Sequence, residues 1–123
     1  NITGLSFAVT AGQVYRFRAV IPYTAAATTT GARFTINGPA MTHISYTSRY
    51  PLTASTETFG YYTALQQPAA ANATSLTTGN VAVVEGFFKP SADGTAAIQF
   101  ASEVGASAIT ALAGATLAYV RTV

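Results

Sequence analysis

The chain has 123 residues, half of them hydrophobic, with six Lys and Arg against four Asp and Glu and no cysteine. That length makes one domain, residues 1–123, able to bury about two-thirds of its unfolded surface, and the composition is the reverse of a disordered chain's. It excludes disulfide frameworks, thiol catalysis and cysteine-ligated zinc; without a basic run, or an apolar run near ~18 residues, neither nucleic acid nor a membrane is expected as a partner.

Charged residues make up only 8% of the chain, where about 25% is usual. So little charge predicts that part of the surface is hidden against copies of the chain or a larger assembly. No charged-then-apolar leader opens the sequence, and it begins at Asn1 rather than Met, as expected of a processed product or the ordered piece of a longer protein.

Short period-two runs separated by turn residues dominate the sequence, and Thr, Val, Tyr and Phe fill them, which suits pleated, half-buried strands. Leu5, Phe7 and Val9 alternate with Ser6 and Ala8, and Ala11-Gly12 turns the chain. In Val14–Ile21, Tyr15, Phe17, Ala19 and Ile21 take the core side because Arg16 and Arg18 occupy the other. Pro22 is expected to end pairing or mark a sheet edge, and Thr24–Gly31 reads as a loop. Ala32, Phe34 and Ile36 form the next core face, closed by the turn Asn37-Gly38-Pro39. Met41–Tyr46 is a strand with room to extend to Arg49, Pro51 breaks it, and Thr58–Leu65 follows.

Gln66–Gly79 lacks a pattern and predicts an exposed loop. Val81–Phe88 is apolar on both faces, which predicts a strand covered on both sides. Lys89-Pro90 and Ala92-Asp93-Gly94 suggest a hairpin turn into a strand with Ala96, Ile98 and Phe100 inward. Gly105 turns the chain again; Ala108–Leu112 and Ala115–Val123 then read as a hairpin about Ala113-Gly114, with Leu117 and Tyr119 inward. Eight or nine short strands in this order predict an all-β fold, an antiparallel two-sheet sandwich of jelly-roll type. Its core is expected to hold Tyr15, Phe17, Phe34, Ile36, Ile98, Phe100, Leu117 and Tyr119.

Little in the chain points to catalysis. Sugar hydrolysis wants two positioned carboxylates. Of the four acids, Asp93 sits in a turn, Glu57 in a Ser/Thr-rich connection, and Glu85 and Glu103 are the pair that the expected hairpin could bring near each other. His43, the only histidine, reads as a strand or interface residue, since no glycine-elbow motif holds a nucleophile for it. No nucleotide motif occurs, and no cofactor or metal is expected. Tyr23, Tyr46, Tyr50, Tyr61 and Tyr62 are candidates for sugar stacking or for core packing. Two Asn-x-Thr sequons, at Asn1 and Asn72, carry weight only in a eukaryotic secreted protein.

Three segments together carry a resemblance: Gly4–Gly12 with Tyr15-Arg16-Phe17-Arg18, Ala26–Phe34, and Val83–Phe88 followed by Phe100–Val104 and Ala113-Gly114-Ala115. In this order they resemble a domain of tailed-bacteriophage and prophage structural proteins, among them tail-fibre, minor tail and head-surface proteins. The resemblance spans most of the chain and brings no catalytic residues with it. The layout is also similar in architecture to the jelly rolls of trimeric complement and tumour-necrosis-factor modules.

The resemblance implies a virion location and a non-enzymatic structural role, as a capsid decoration or tail-appendage protein, with other virion proteins as partners. A homotrimer would account for the scarce charge and the doubly apolar strand. Val81, Val83 and Phe87 are the residues expected at its interface, unless Gln66–Gly79 covers that face instead. The alternative is a carbohydrate- or receptor-binding module that meets a host-surface glycan through surface tyrosines.

Overall fold

Each of the nine alternating runs forms a strand. The computed structural model describes residues 1–68, 76–103 and 108–122. Among them lie β1 (Ser6–Val9), β2 (Val14–Ala25), β3 (Ala32–Asn37), β4 (Met41–Pro51), β5 (Glu57–Tyr62), β6 (Asn80–Pro90), β7 (Gly94–Ser102), β8 (Ile109–Ala111) and β9 (Thr116–Thr122). The turn expected at Gly105, the sequon at Asn72 and most of the expected loop between β5 and β6 fall outside the described residues.

The strands form an antiparallel two-sheet sandwich. A three-stranded sheet has the order β1-β7-β3, and a six-stranded sheet runs β5-β4-β6-β2 with β8 and β9 both on the far side of β2. β1 with β7, β2 with β6 and β4 with β5 are successive pairs of one antiparallel ribbon, and rolling that ribbon sets β3 against β7 and β4 against β6. This is jelly-roll winding. The place of β3's own ribbon partner falls between β5 and β6, where the Gln66 N–H donates to the Ile36 carbonyl at 3.1 Å.

Two connections differ from expectation. The segment after β6 is no hairpin: β2 and β4 occupy both edges of β6, so β7 joins the other sheet between β1 and β3. The crossing is tied to its neighbours, with the Gly12 N–H donating to the Pro90 carbonyl and the Ser91 N–H to the Ala40 carbonyl, both at 2.8 Å. β8 and β9 likewise do not pair with each other. Both lie along β2, which is 12 residues long, β9 beside Val14–Val20 and β8 beside Tyr23–Ala25.

Pro22 therefore sits inside a central strand rather than at its end. It pairs with Val81 of β6, and its carbonyl accepts from the Leu112 N–H at 2.8 Å. A strand residue's N–H and C=O point to the same side, so the missing proline N–H faces Leu112, at the step where β8 has ended and β9 has not begun.

The core lies between the sheets. Tyr15, Phe17, Phe34, Ile36 and Ile98 are buried as expected, while Phe100 and Leu117 are half-buried against the core. Tyr119 is 51% exposed: it is on β9, at the sheet's edge, and its ring stacks flat on Phe7 at 3.8 Å between centroids. Phe17 and Tyr46 flank Gly86 in register, and their rings meet at 6.4 Å. A Cβ at Gly86 would overlap the Ser45 carbonyl and the Tyr46 backbone, so this close strand approach requires glycine.

Candidate functional site

Alternation along the six-stranded sheet sends one set of side chains into the core and the other onto an open face. The register builds that face in rows. Tyr61, Thr47, Glu85, Arg18 and Ala118 lie side by side across β5, β4, β6, β2 and β9. Phe59, Arg49, Val83, Val20 and Thr116 form the next row, and Ser45, Phe87, Arg16 and Val120 another.

Of seven large apolar side chains left exposed in the described residues, five stand on this face: Phe59, Tyr61, Val81, Phe87 and Val120. Singly exposed apolar residues are ordinary; several on one sheet face mark an interaction surface.

Val81 and Phe87 are each 47% exposed, so the described residues of this chain leave the outer side of β6 open. Val83 is the exception among the three expected interface residues. It is only 8% exposed, set between Val20 and Arg49, and offers little surface to a partner. Of Gln66–Gly79, the residues outside 69–75 are described, and Gln66 and Gln67 are bound elsewhere, to the Ile36 carbonyl and the Tyr46 hydroxyl.

A ridge of charge crosses the middle of the face. Arg18 Nε lies 3.5 Å from Glu85 Oε2, and Arg49 Nη2 lies 3.9 Å from Glu85 Oε1. All three side chains are more than a third exposed, so the pairs contribute little to stability, and their effect is to orient each other. The Arg16 guanidinium stands 6.0 Å from the ring centre of Phe87, its partner in register, a contact of cation–π type.

Beside the ridge, at the β5 edge, Thr47, Arg49, Glu57, Phe59, Tyr61 and Glu85 line an open cleft of about 290 Å3. Glu57 and Glu85 thus share a cleft, a pairing the sequence did not reveal because it depends on β4 lying between β5 and β6. The expected pair does not form: Glu85 is on the six-stranded sheet, and Glu103 follows β7 of the other sheet, where its carboxylate accepts from the Gly31 N–H at 3.0 Å. Asp93 accepts from the Ala11 N–H at 2.8 Å. His43 is exposed beside Lys89, at a bulge in β4.

The five candidate tyrosines divide. Tyr23, Tyr46 and Tyr50 are buried in the core, Tyr62 is half-buried, and Tyr61 is 78% exposed. The Tyr46 hydroxyl is well bonded, to Thr35 Oγ1 at 2.9 Å, the Gln67 carbonyl at 2.8 Å and the Gln67 N–H at 3.0 Å. Burial nevertheless pushes its pKa up, as it does for Tyr62. Burial, with the hydroxyls of Tyr62 and Tyr23 nearby, pushes Tyr50 up to about 12, and the Tyr50 hydroxyl has no hydrogen-bond partner among the described residues.

Among the described residues no group of His, Asp and Glu is placed to hold a metal ion, and no helix is long and apolar enough to cross a membrane. No family model, curated protein or solved structure matches the chain.

Proposed function

We propose that this chain is a non-enzymatic structural module of a phage virion, one that assembles with copies of itself on the particle surface as a capsid decoration or tail-appendage protein. The observation that carries the self-assembly is the open face of the six-stranded sheet, where Val81, Phe87 and Val120 stand exposed around a charged ridge. The virion location rests on the sequence resemblance.

The occupant of that face is a second copy of this chain, and charge sets the geometry. Four of the six Lys and Arg residues, Arg16, Arg18, Arg49 and Lys89, lie on this face. Asp93 and Glu103 lie off it, one in the β6–β7 crossing and one after β7. With Glu57 and Glu85 also on the face its charge is net positive, and face-to-face pairing about a two-fold axis would set two such faces together. A head-to-tail contact avoids this, and such contacts close into rings. Area points the same way. The assembly part of the face, three strands (β6, β2 and β9) about 4.8 Å apart and 7 to 12 residues long, measures on the order of 500 Å2, below the ~800 Å2 per partner of a standard interface. In a ring of three each copy makes two contacts, which offsets the shortfall.

Sedimentation tests this: the wild-type chain should run as a trimer, and Phe87→Glu or Val120→Glu as a folded monomer. A wild-type monomer at high concentration would remove the self-assembly. A map of intact particles that shows no such module would remove the virion location.

A further inference from the structure

We infer that the cleft beside β5 is a binding site for a neutral saccharide. The site is independent of the assembly surface, since the apolar residues argued for assembly lie on β6 and β9 and the two rings of the cleft on the edge strand β5.

The rings come first. Phe59 and Tyr61 are two residues apart on β5, so both point to the open face. They are 59% and 78% exposed, with centroids 6.0 Å apart and ring planes nearly perpendicular at 85°. Nothing in the core accounts for them: the inward positions of β5 are Thr58, Gly60 and Tyr62, and Tyr62 packs on Tyr46 at 5.6 Å. Two adjacent exposed rings at a sheet edge invite aggregation unless they have a ligand.

The polar lining selects the ligand. Thr47 and Arg49 are the cross-strand partners of Tyr61 and Phe59, and Glu85 lies beyond Thr47. Arg49 and Glu85 are held together at 3.9 Å. The cleft therefore sets a donor and an acceptor side by side, next to a hydroxyl and two apolar ring surfaces. A pyranose matches that set: its C–H face lies on a ring, and neighbouring hydroxyls donate to the carboxylate and accept from the guanidinium. At about 290 Å3 the cleft is at the small end of ligand sites. An apolar peptide anchor would take the Arg49–Glu85 pair out of water and offer its remaining hydrogen-bonding positions no partner. Glu57 and Glu85 outnumber Arg49 in the lining, so sugars bearing carboxylate, phosphate or sulfate are disfavoured. Because β5 is a sheet edge, the cleft opens sideways and admits a unit within a longer glycan.

The test uses the full chain in calorimetric titrations with neutral oligosaccharides of glucose, galactose and mannose, and with sialyllactose and oligogalacturonate as acidic probes. At least one neutral probe should bind and both acidic probes should bind more weakly. Tyr61→Ala and Phe59→Ala should each weaken binding roughly tenfold or more, Leu112→Ala, at an exposed position outside the cleft, should leave it unchanged, and sedimentation of all three variants should match wild type. Absence of binding by every neutral probe at millimolar concentration overturns the inference. So does binding that survives both ring truncations, a preference for the acidic probes, or a change of oligomeric state in Tyr61→Ala, which would assign the rings to a protein contact. Monomeric Phe87→Glu should retain the saccharide affinity, so failure of the assembly reading and failure of this one are separate results.

Discussion

Two tyrosines on one strand offer the sharpest check on the packing described here. Tyr46 and Tyr50 are both on the inward side of β4, and each is 2% exposed. The same substitution, loss of one hydroxyl, should act on them with opposite sign. The Tyr46 hydroxyl joins Thr35 and the backbone of Ala64 and Gln67. Tyr46→Phe leaves the buried Thr35 hydroxyl and the part-buried backbone of Gln67 without that partner, a cost of about 1–3 kcal/mol. The Tyr50 hydroxyl has been taken from water and has no hydrogen-bond partner among the described residues. Tyr50→Phe removes that penalty and keeps the ring in its contact with Phe34, 5.6 Å away, so it should stabilise the fold by about 1–2 kcal/mol.

Denaturant unfolding resolves this difference, provided the slope is unchanged between variants. In a thermal scan the two melting temperatures should move apart by several degrees, at about 4 °C per kcal/mol for a domain of this size. The reasoning fails if Tyr50→Phe lowers the midpoint as Tyr46→Phe does, because the Tyr50 hydroxyl would then have a partner.

The same residues make stability depend on alkali. Burial raises the folded-state pKa of Tyr46, Tyr50 and Tyr62 above the unfolded value near 10, so their contribution is complete below about pH 10 and is lost as pH rises toward the value of about 12 for Tyr50. Absorbance near 295 nm, free of tryptophan in this chain, should show these tyrosines ionising late and together with unfolding. Phe17→Ala should cost about 3–5 kcal/mol, read as a fall in the denaturation midpoint, since its ring is buried between Tyr46 and Phe88. Glu85→Gln, by contrast, should change stability by no more than about 1 kcal/mol, because its ion pairs are solvent-exposed; the same denaturation curves measure it. Gly86→Ala should destabilise more than Glu85→Gln, because its Cβ meets backbone rather than a movable side chain, and calorimetry of the pair of variants checks the order.

Strands and facing were legible in the sequence because alternation is local. Leu5, Phe7 and Val9 point inward for the reason the period suggested, and Tyr15, Phe17, Ala19 and Ile21 do the same on β2. Pairing was not legible, because it depends on which edges remain free. The Pro90–Gly94 segment has the composition of a hairpin turn and crosses between sheets instead, since β6 has no free edge. Pro22 has the look of a strand end and lies inside β2, at the one step where two shorter strands share its edge. Tyr119 was assigned to the correct side of β9, but being at the sheet edge keeps it half open. The cleft was hidden for the same reason. Glu85 is far in the chain from Arg49 and Glu57 and joins them only through the β5-β4-β6 order.

That order also gives the face room for the two partners proposed above. Glu85 occupies the middle strand of the face, and its ion pairs reach one strand over to β2 and diagonally to β4. On the β5 side stand Phe59 and Tyr61, rings at an edge with polar groups beneath them. On the other side stand Phe87 and Val120, with Arg16 between them in register. A wholly apolar face of this size would bind copies of itself in any register. The charged ridge prevents that, because a partner laid across it must supply matching charge or leave Glu85 and its two arginines without water. Contacts are thereby confined to the ground beside the ridge: along the strands, the row of Phe87, Arg16 and Val120 is suited to the proposed second copy, and past the ridge's β4 end the edge beside β5 is suited to a ligand small enough to leave the ridge hydrated.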